Sequence, residues 1–476
     1  MANLKKNLGY QTVYQLLNTC LPLITAPYLS RVLGATQLGI QSYVSSISSY
    51  FALFAMLGIV NYGTRAIAEK NNDFQERSRI FWEIYAIQFF FSVLMSAGYF
   101  LFYIFSKENR LIILLQGIAV FSCIFDIGWL FFGLEKFEIT VKRNIIVRIM
   151  TVIITIVFVK NEGDLWKYVL ILVMSTFINN IILWKFLGQF IHYIKPNFGN
   201  IIKHFVPILV LFVPLLALSV YHLMDKTMLG MMSTFEESGY YYNADKIVNI
   251  PIGVLTGVGT VLLPRITSLL RQQRKDEADQ LFLVSLQGII IASIAISFGI
   301  AAVAKEFIPF FFGGGYDSCI LLAIVLSPVL VIKSVSLTFR NAYLIPNNRD
   351  KCFVCSVIAG AIANVISNYF LIPRHGALGA VIGTLIAECV SLIWQIVGTR
   401  KEVKFAKTFL DSIVYLAIGF VMFFSVRWGA SVFDTSNLIK LICEIPIGVV
   451  AYCVLTFLYL KLSKNTSILM LFLKKG

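Results

Sequence analysis

Apolar residues along this chain run in long uninterrupted stretches, and the polar residues between them form groups too short to fold as a soluble body. The stretches are 8–30, 38–62, 80–104, 111–134, 144–159, 165–187 and 203–232, then 239–263, 281–304, 318–345, 352–372, 376–398, 408–427 and 438–460. A helix needs about 20 predominantly apolar residues to cross a bilayer, where no water bonds to exposed backbone. The pattern therefore predicts an all-α polytopic membrane protein of about 14 transmembrane helices. The fifth stretch, 144–159, is short and carries Arg148, and losing it would invert everything downstream.

Composition agrees with the pattern. Apolar residues make up 58% of the 476 and charged residues 14%, with mean hydropathy +0.80, whereas soluble domains carry about 25% charged residues. In a soluble protein a net charge of +15 would point to nucleic acid. Here the basic residues sit in short loops, so the charge is read as membrane orientation and no nucleic-acid partner is expected. With the amino terminus inside, 27 of the 40 Lys and Arg residues fall on cytoplasmic flanks and nine on outer ones. Both termini are therefore expected in the cytoplasm. Lys5 and Lys6 precede an apolar run that contains Pro22 and Pro27 and lacks a small-residue cleavage site, so the first helix is expected to stay.

Enzymatic and metal signals are weak. Cys352 and Cys355 form C-x-x-C, but no second pair and no nearby histidine complete four ligands. The other cysteines are scattered within spans, and the four histidines have no metal spacing. Neither a phosphate-binding G-x-x-x-x-G-K nor H-E-x-x-H occurs. No cofactor, metal or enzymatic activity is expected. Gly313, Gly314 and Gly315 read as a flexible outer turn.

An internal duplication says more. Gly39 and Arg65 lie 26 residues apart, as do Gly239 and Arg265, with Gly58 and Gly259 between them. A basic residue precedes each stretch, Arg31 before Gly34 and Lys226 before Gly230. The offset of six crossings is even, so the two copies point the same way across the membrane. This divides the chain into a six-helix lobe over 1–195, a second over 196–400, and two peripheral helices with a tail over 401–476. Two matched lobes would frame a central cavity that opens alternately to each side, a transporter design.

The run Ala363-Asn364-Val365-Ile366-Ser367-Asn368-Tyr369-Phe370-Leu371-Ile372-Pro373-Arg374-His375-Gly376-Ala377-Leu378-Gly379-Ala380 resembles the N-x-x-x-N-x-x-L-I-P-x-x-G-A-x-G-A signature of the polysaccharide biosynthesis, or Wzx-type oligosaccharide flippase, family. Asp126-Ile127-Gly128-Trp129-Leu130-Phe131-Phe132-Gly133-Leu134-Glu135-Lys136 is similar to its W-x-F-x-G-x-E-K segment, with Phe132 where many relatives carry Gln. Asp225, Gly230, Gly239, Tyr240, Ala244, Lys246 and Pro264-Arg265 resemble its seventh and eighth helices. The resemblance implies a member of the multidrug/oligosaccharidyl-lipid/polysaccharide exporter superfamily in the bacterial cytoplasmic membrane. It would move a lipid-linked oligosaccharide to the outer leaflet for capsule, O-antigen or a related polymer, beside polysaccharide assembly proteins.

Ionisable groups inside spans are the candidate site, since each costs about 2.5–3.5 kcal/mol at a helix centre on insertion scales. Lys333 lies deep in its stretch and is read as a diphosphate contact, a structural ion pair or a snorkelling side chain. Arg148 lies near the cytoplasmic end, suited to headgroup capture or to snorkelling. Arg31 and Lys226 lie near outer ends, where they would receive the headgroup. Asp126, Asp225 and Glu388 are candidates for coupling to a proton or sodium ion, with a salt bridge as the other reading of Asp126. His222 lies three residues before Asp225, on the same helical face. Each charge moved through 100 mV yields about 2.3 kcal/mol. Pro207, Pro214, Pro251 and Pro328 permit bending inside spans. Three rival readings stand beside this one: a drug exporter of the same superfamily, a peptidoglycan-precursor flippase, and a membrane polysaccharide polymerase or ligase.

Overall fold

Helices supply the regular structure; no strand occurs among the described residues. The computed structural model describes residues 2–403, 405–432 and 436–463. Lys404, Lys464, Lys474 and Lys475 of the expected cytoplasmic flanks lie outside the described residues, as do the side chains of Lys5, Lys6, Cys20 and Lys407 and the surroundings of Gly259. Ten helical stretches among the described residues are long and apolar enough to cross a membrane. Two of them, Leu21–Glu69 and Asp350–Thr399, run to 49 and 50 residues, more than twice the roughly 20 that one crossing needs. The chain is a multi-pass membrane protein.

It divides into two compact units, Met1–Gly239 and Tyr240–Gly476. The first contains α1 (Ala2–Met56), α2 (Ile59–Glu69), α3 (Phe74–Phe105), α4 (Arg110–Ser122), α5 (Gly128–Gly133), α6 (Phe137–Phe158), α7 (Leu165–Ile182), α8 (Trp184–Leu187) and α9 (Phe198–Met232). Helix α10 (Phe235–Arg271) begins in it and continues into the second unit, which adds α11 (Lys275–Phe312), α12 (Ser318–Phe339), α13 (Asp350–Thr399), α14 (Ala406–Val432) and α15 (Asn437–Leu462). The expected fifth span, with Arg148, falls on α6.

Along α3 the exposed side is apolar, and polar groups share the buried side with Phe81 and Ile84. Arg77, Ser78, Glu83, Gln88 and Ser92 are buried, whereas Phe89, Phe90, Leu94 and Phe105 are exposed. Hydrocarbon solvates phenylalanine as well as a protein interior does, so the polar groups turn inward to find partners. Asp73 starts the helix by accepting from the backbone amides of Gln75 and Glu76 at 3.1 and 3.0 Å, which satisfies two donors that the first turn leaves open. Gln88 then joins three elements. Its amide nitrogen donates to the Cys123 and Asp126 carbonyls at 2.8 Å each, and its oxygen accepts from the Trp129 indole at 2.9 Å. Trp129, 1% exposed, packs with Phe81, Ile84 and Phe131 in the core of the first unit. The W-x-F-x-G-x-E-K segment is thereby anchored to α3.

Helix α13 is a helical hairpin. Its backbone leaves helical geometry at Gly376 (φ 55°, ψ −130°), a region open essentially to glycine alone. Beyond that turn the arms pair in reverse order. Gly379 lies against the Leu371 carbonyl, Gly383 against Asn368, and Gly398 faces the Cys352 sulfur. Gln395 donates to Ser356 Oγ at 3.1 Å. The run 363–380 is thus the recipe for this turn: Pro373 and Gly376 reverse the chain, and small residues let the arms close. Helix α1 is divided in a similar way at Gly34 (φ 74°, ψ 173°).

In the first unit, α1 and the start of α10 cross backbone to backbone. A Cβ on Gly39 would fall on the Phe235 carbonyl, and one on Gly239 on the Ala35 carbonyl. Gly39 and Gly239 therefore meet at one crossing.

Helices α14 and α15 pack on α11 and on each other. Two polar clusters bind them. Arg427 of α14 donates to Glu306 of α11 at 2.7 Å and lies 4.0 Å from Glu444 of α15. Gln287 of α11 donates to Asp411 and Tyr415 of α14 at 3.0 and 2.9 Å, and Tyr459 of α15 donates to Asp411 at 2.7 Å.

Candidate substrate and coupling site

In the second unit, α10, α12 and α13 bring together opposite charges inside apolar helices. The Lys333 ammonium on α12 donates to Asn249 Oδ1 on α10 at 3.2 Å and stands 4.0 Å from Glu388 Oε1 on the second arm of α13. The Asn249 amide donates in turn to the Asp245 carbonyl at 3.0 Å and to the Asp245 carboxylate one turn earlier. Beside Asp245, the Lys246 ammonium lies 3.8 Å from the centre of the Tyr242 ring, a cation–π contact that offsets part of the lost hydration. The side chains of Lys333 and Glu388 are 16% and 5% exposed. The ammonium therefore has partial access, while the carboxylate is enclosed. At 4.0 Å the pair attracts without sharing a hydrogen bond, so the ammonium is held by an amide and keeps donors for another acceptor.

The other expected residues are more dispersed. Asp225 is 5% exposed on α9, next to Met224, whose sulfur accepts from the Tyr50 hydroxyl at 3.8 Å. Lys226 is half-buried and His222 exposed on the same helix. Arg31 is exposed three residues before the break at Gly34, and one turn earlier the Tyr28 hydroxyl donates to the Val159 carbonyl at 2.6 Å. Arg148 is exposed on α6 among exposed Ile146, Ile149 and Met150. Asp126 takes a local role: its Oδ1 accepts from the Gly128 amide at 3.0 Å, a side-chain turn that launches α5.

The sequence reading missed several partners. Glu83, buried on α3, accepts from Arg79 at 3.2 Å, from Asn200 at 3.0 Å and bonds His204 Nε2 at 3.1 Å, while His204 Nδ1 bonds the Tyr62 hydroxyl at 2.7 Å. Glu306, Glu444 and Asp411 were also passed over. A carboxylate inside an apolar run was the available signal for Glu83, Asp411 and Glu444, whereas Glu306 lies just beyond the expected stretch 281–304; Asn249 carried none, because an amide in a span is cheap enough to be unremarkable.

With this geometry in view, the sequence profile of the family described as polysaccharide biosynthesis protein matches residues 4–270. The chain belongs to that family. A relative from Escherichia coli (strain K12), named "Putative O-antigen transporter", is 25% identical over 407 residues, which covers 84% of this chain and 98% of that protein. Among solved structures, "Lipid II flippase MurJ, inward closed conformation" superposes with a TM-score of 0.74 at 14% identity, covering 94% of this chain and 98% of that one. An inward-facing multidrug resistance MATE family transporter of the MOP superfamily gives a TM-score of 0.57 at 12% identity, covering 80% and 97%. At such identities these two likenesses establish the fold. The run around Gly376 and the Trp129 segment both fall on structural joints, whereas Lys333 and Glu388 lie outside either one.

Proposed function

We propose that this chain is a flippase that carries a polyprenyl-diphosphate-linked oligosaccharide from the cytoplasmic to the outer leaflet of a bacterial cytoplasmic membrane by alternating access. A sugar diphosphate cannot enter hydrocarbon, because its hydroxyls and charges would lose water without gaining partners. The protein must offer those partners while the polyprenyl tail stays in lipid. Family membership and the name of the Escherichia coli relative support the substrate class. The observation that carries the reading is Lys333, a partly accessible ammonium inside an apolar helix, held by Asn249 and only loosely by Glu388.

In this reading a diphosphate oxygen takes the place of Glu388 as the countercharge of Lys333. The displaced carboxylate then gains from binding a proton or sodium ion, so substrate entry and ion binding are coupled. Asp225 and the second oxygen of Asp126 are further coupling groups. Arg31, Arg148 and Lys226 meet the headgroup at the two faces. The reading has fourteen crossings, in which the long elements divide at Gly34 and Gly376 and α4 and α6 also cross, with both termini in the cytoplasm. Lobes over 1–195 and 196–400 rock against one another, and 401–476 forms the periphery.

Vesicles containing the purified chain and a labelled lipid-linked oligosaccharide test this. Sugar should become accessible to an impermeant glycosidase with time, and Lys333→Ala should slow this by at least about tenfold, the equivalent of about 1.4 kcal/mol. Protein-free rates with every lipid-linked glycan offered, or an unaltered rate in the variant, would overturn the reading.

A further inference from the structure

On the first unit, the start of α6 and the end of α7 with α8 line a groove of about 490 Å³. Lys136, Lys142 and Arg143 line it with one carboxylate, Glu138, and its remaining wall is apolar, including Ile146 and Phe186. Glu138 bonds Lys142 at 2.6 Å, so three cations face one anion. Arg143 is fixed in place. Its Nη1 donates to the Asn179 carbonyl at 2.6 Å, and its Nη2 to Asn144 Oδ1 at 2.7 Å. Lys136 is exposed.

From this we infer that the groove binds an anionic glycerophospholipid, its phosphate against Lys136, Lys142 and Arg143 and an acyl chain along Ile146 and Phe186. The charge excess selects an anion, and the apolar wall at the polar end of a membrane helix selects one that carries a hydrocarbon chain. The lining favours a phospholipid over a lipid-linked sugar, because apart from Glu138 it offers no carboxylate, amide or hydroxyl side chain to a saccharide. This inference is independent of the proposed transport activity.

The test uses the full chain in neutral detergent. Phosphatidylglycerol, phosphatidylcholine and undecaprenyl phosphate are titrated separately, with retention in native mass spectrometry and thermal unfolding as readouts. Phosphatidylglycerol should bind most tightly. Each lysine removed should weaken it about fivefold, from about 1 kcal/mol per cation, so Lys136→Gln with Lys142→Gln should weaken it about 25-fold. Ile146→Trp, which keeps every charge and fills the groove, should also abolish retention, while Arg65→Gln on α2 should not alter it. Equal binding of phosphatidylcholine, preference for undecaprenyl phosphate, or unchanged affinity in both groove variants would overturn the inference.

Discussion

Lys333 and Glu388 face each other across adjacent helices with ammonium and carboxylate 4.0 Å apart, close enough to attract and too far to share a proton. Removing Lys333 leaves the enclosed Glu388 carboxylate without that countercharge, a loss of up to about 3–5 kcal/mol, whereas removing Glu388 costs less because the ammonium has partial access and keeps Asn249. Glu388→Met and Lys333→Met should each lower the unfolding temperature in detergent. The double variant should recover most of that loss yet remain inactive in vesicles. Recovery of both stability and transport would make the pair purely structural.

The hairpin of α13 turns at Gly376 with a backbone that a side chain resists (φ 55°, ψ −130°). Gly376→Ala should destabilise by about 1–3 kcal/mol. Gly314→Ala, with open space around it, should stay within about 0.5 kcal/mol. Denaturant or thermal unfolding of the two variants side by side distinguishes turn strain from a general intolerance of larger residues.

At the crossing of α1 with α10, Gly39 leaves no room for a methyl group beside the Phe235 carbonyl. Gly39→Ala should force the helices apart at a cost of about 1–3 kcal/mol. Gly253→Ala, further along α10 with nothing within reach, should be neutral or stabilising by up to about 1 kcal/mol. Equal effects of the two would remove the crossing as a constraint.

Arg427 serves two carboxylates, bonding Glu306 at 2.7 Å and standing 4.0 Å from Glu444, which is 1% exposed. Arg427→Met should leave both acids unbalanced and loosen α14 and α15, seen as faster hydrogen exchange over 408–462. Glu444→Gln removes only the surplus negative charge, so exchange there should slow or stay level. Faster exchange in Glu444→Gln would assign the Arg427 ion pair to Glu444 instead of Glu306.

Much of the fold was legible because crossing a bilayer is a local requirement. Length and apolarity place a helix without reference to its neighbours, and 352–372 and 376–398 already bracket the turn found at Gly376. The candidate site was legible only in part. Lys333 and Glu388 stood out as charges in apolar runs, but their meeting did not, since 55 positions separate them. The role of Asp126 in launching α5 was likewise hidden, because a carboxylate that bonds a backbone amide two residues on reads in sequence like any other buried acid.

The sequence by itself determined that this protein lies in a membrane and is helical, since hydrocarbon enforces these outcomes segment by segment. Only the tertiary structure decided which polar groups find one another: Lys333 with Asn249 and Glu388, Arg427 with Glu306, Glu83 with His204 and Asn200. In water, an amphipathic period announces the inward face of a helix. Lipid is as apolar as the protein core, so that period is nearly erased, and the partners of an inward-facing charge are set by packing alone.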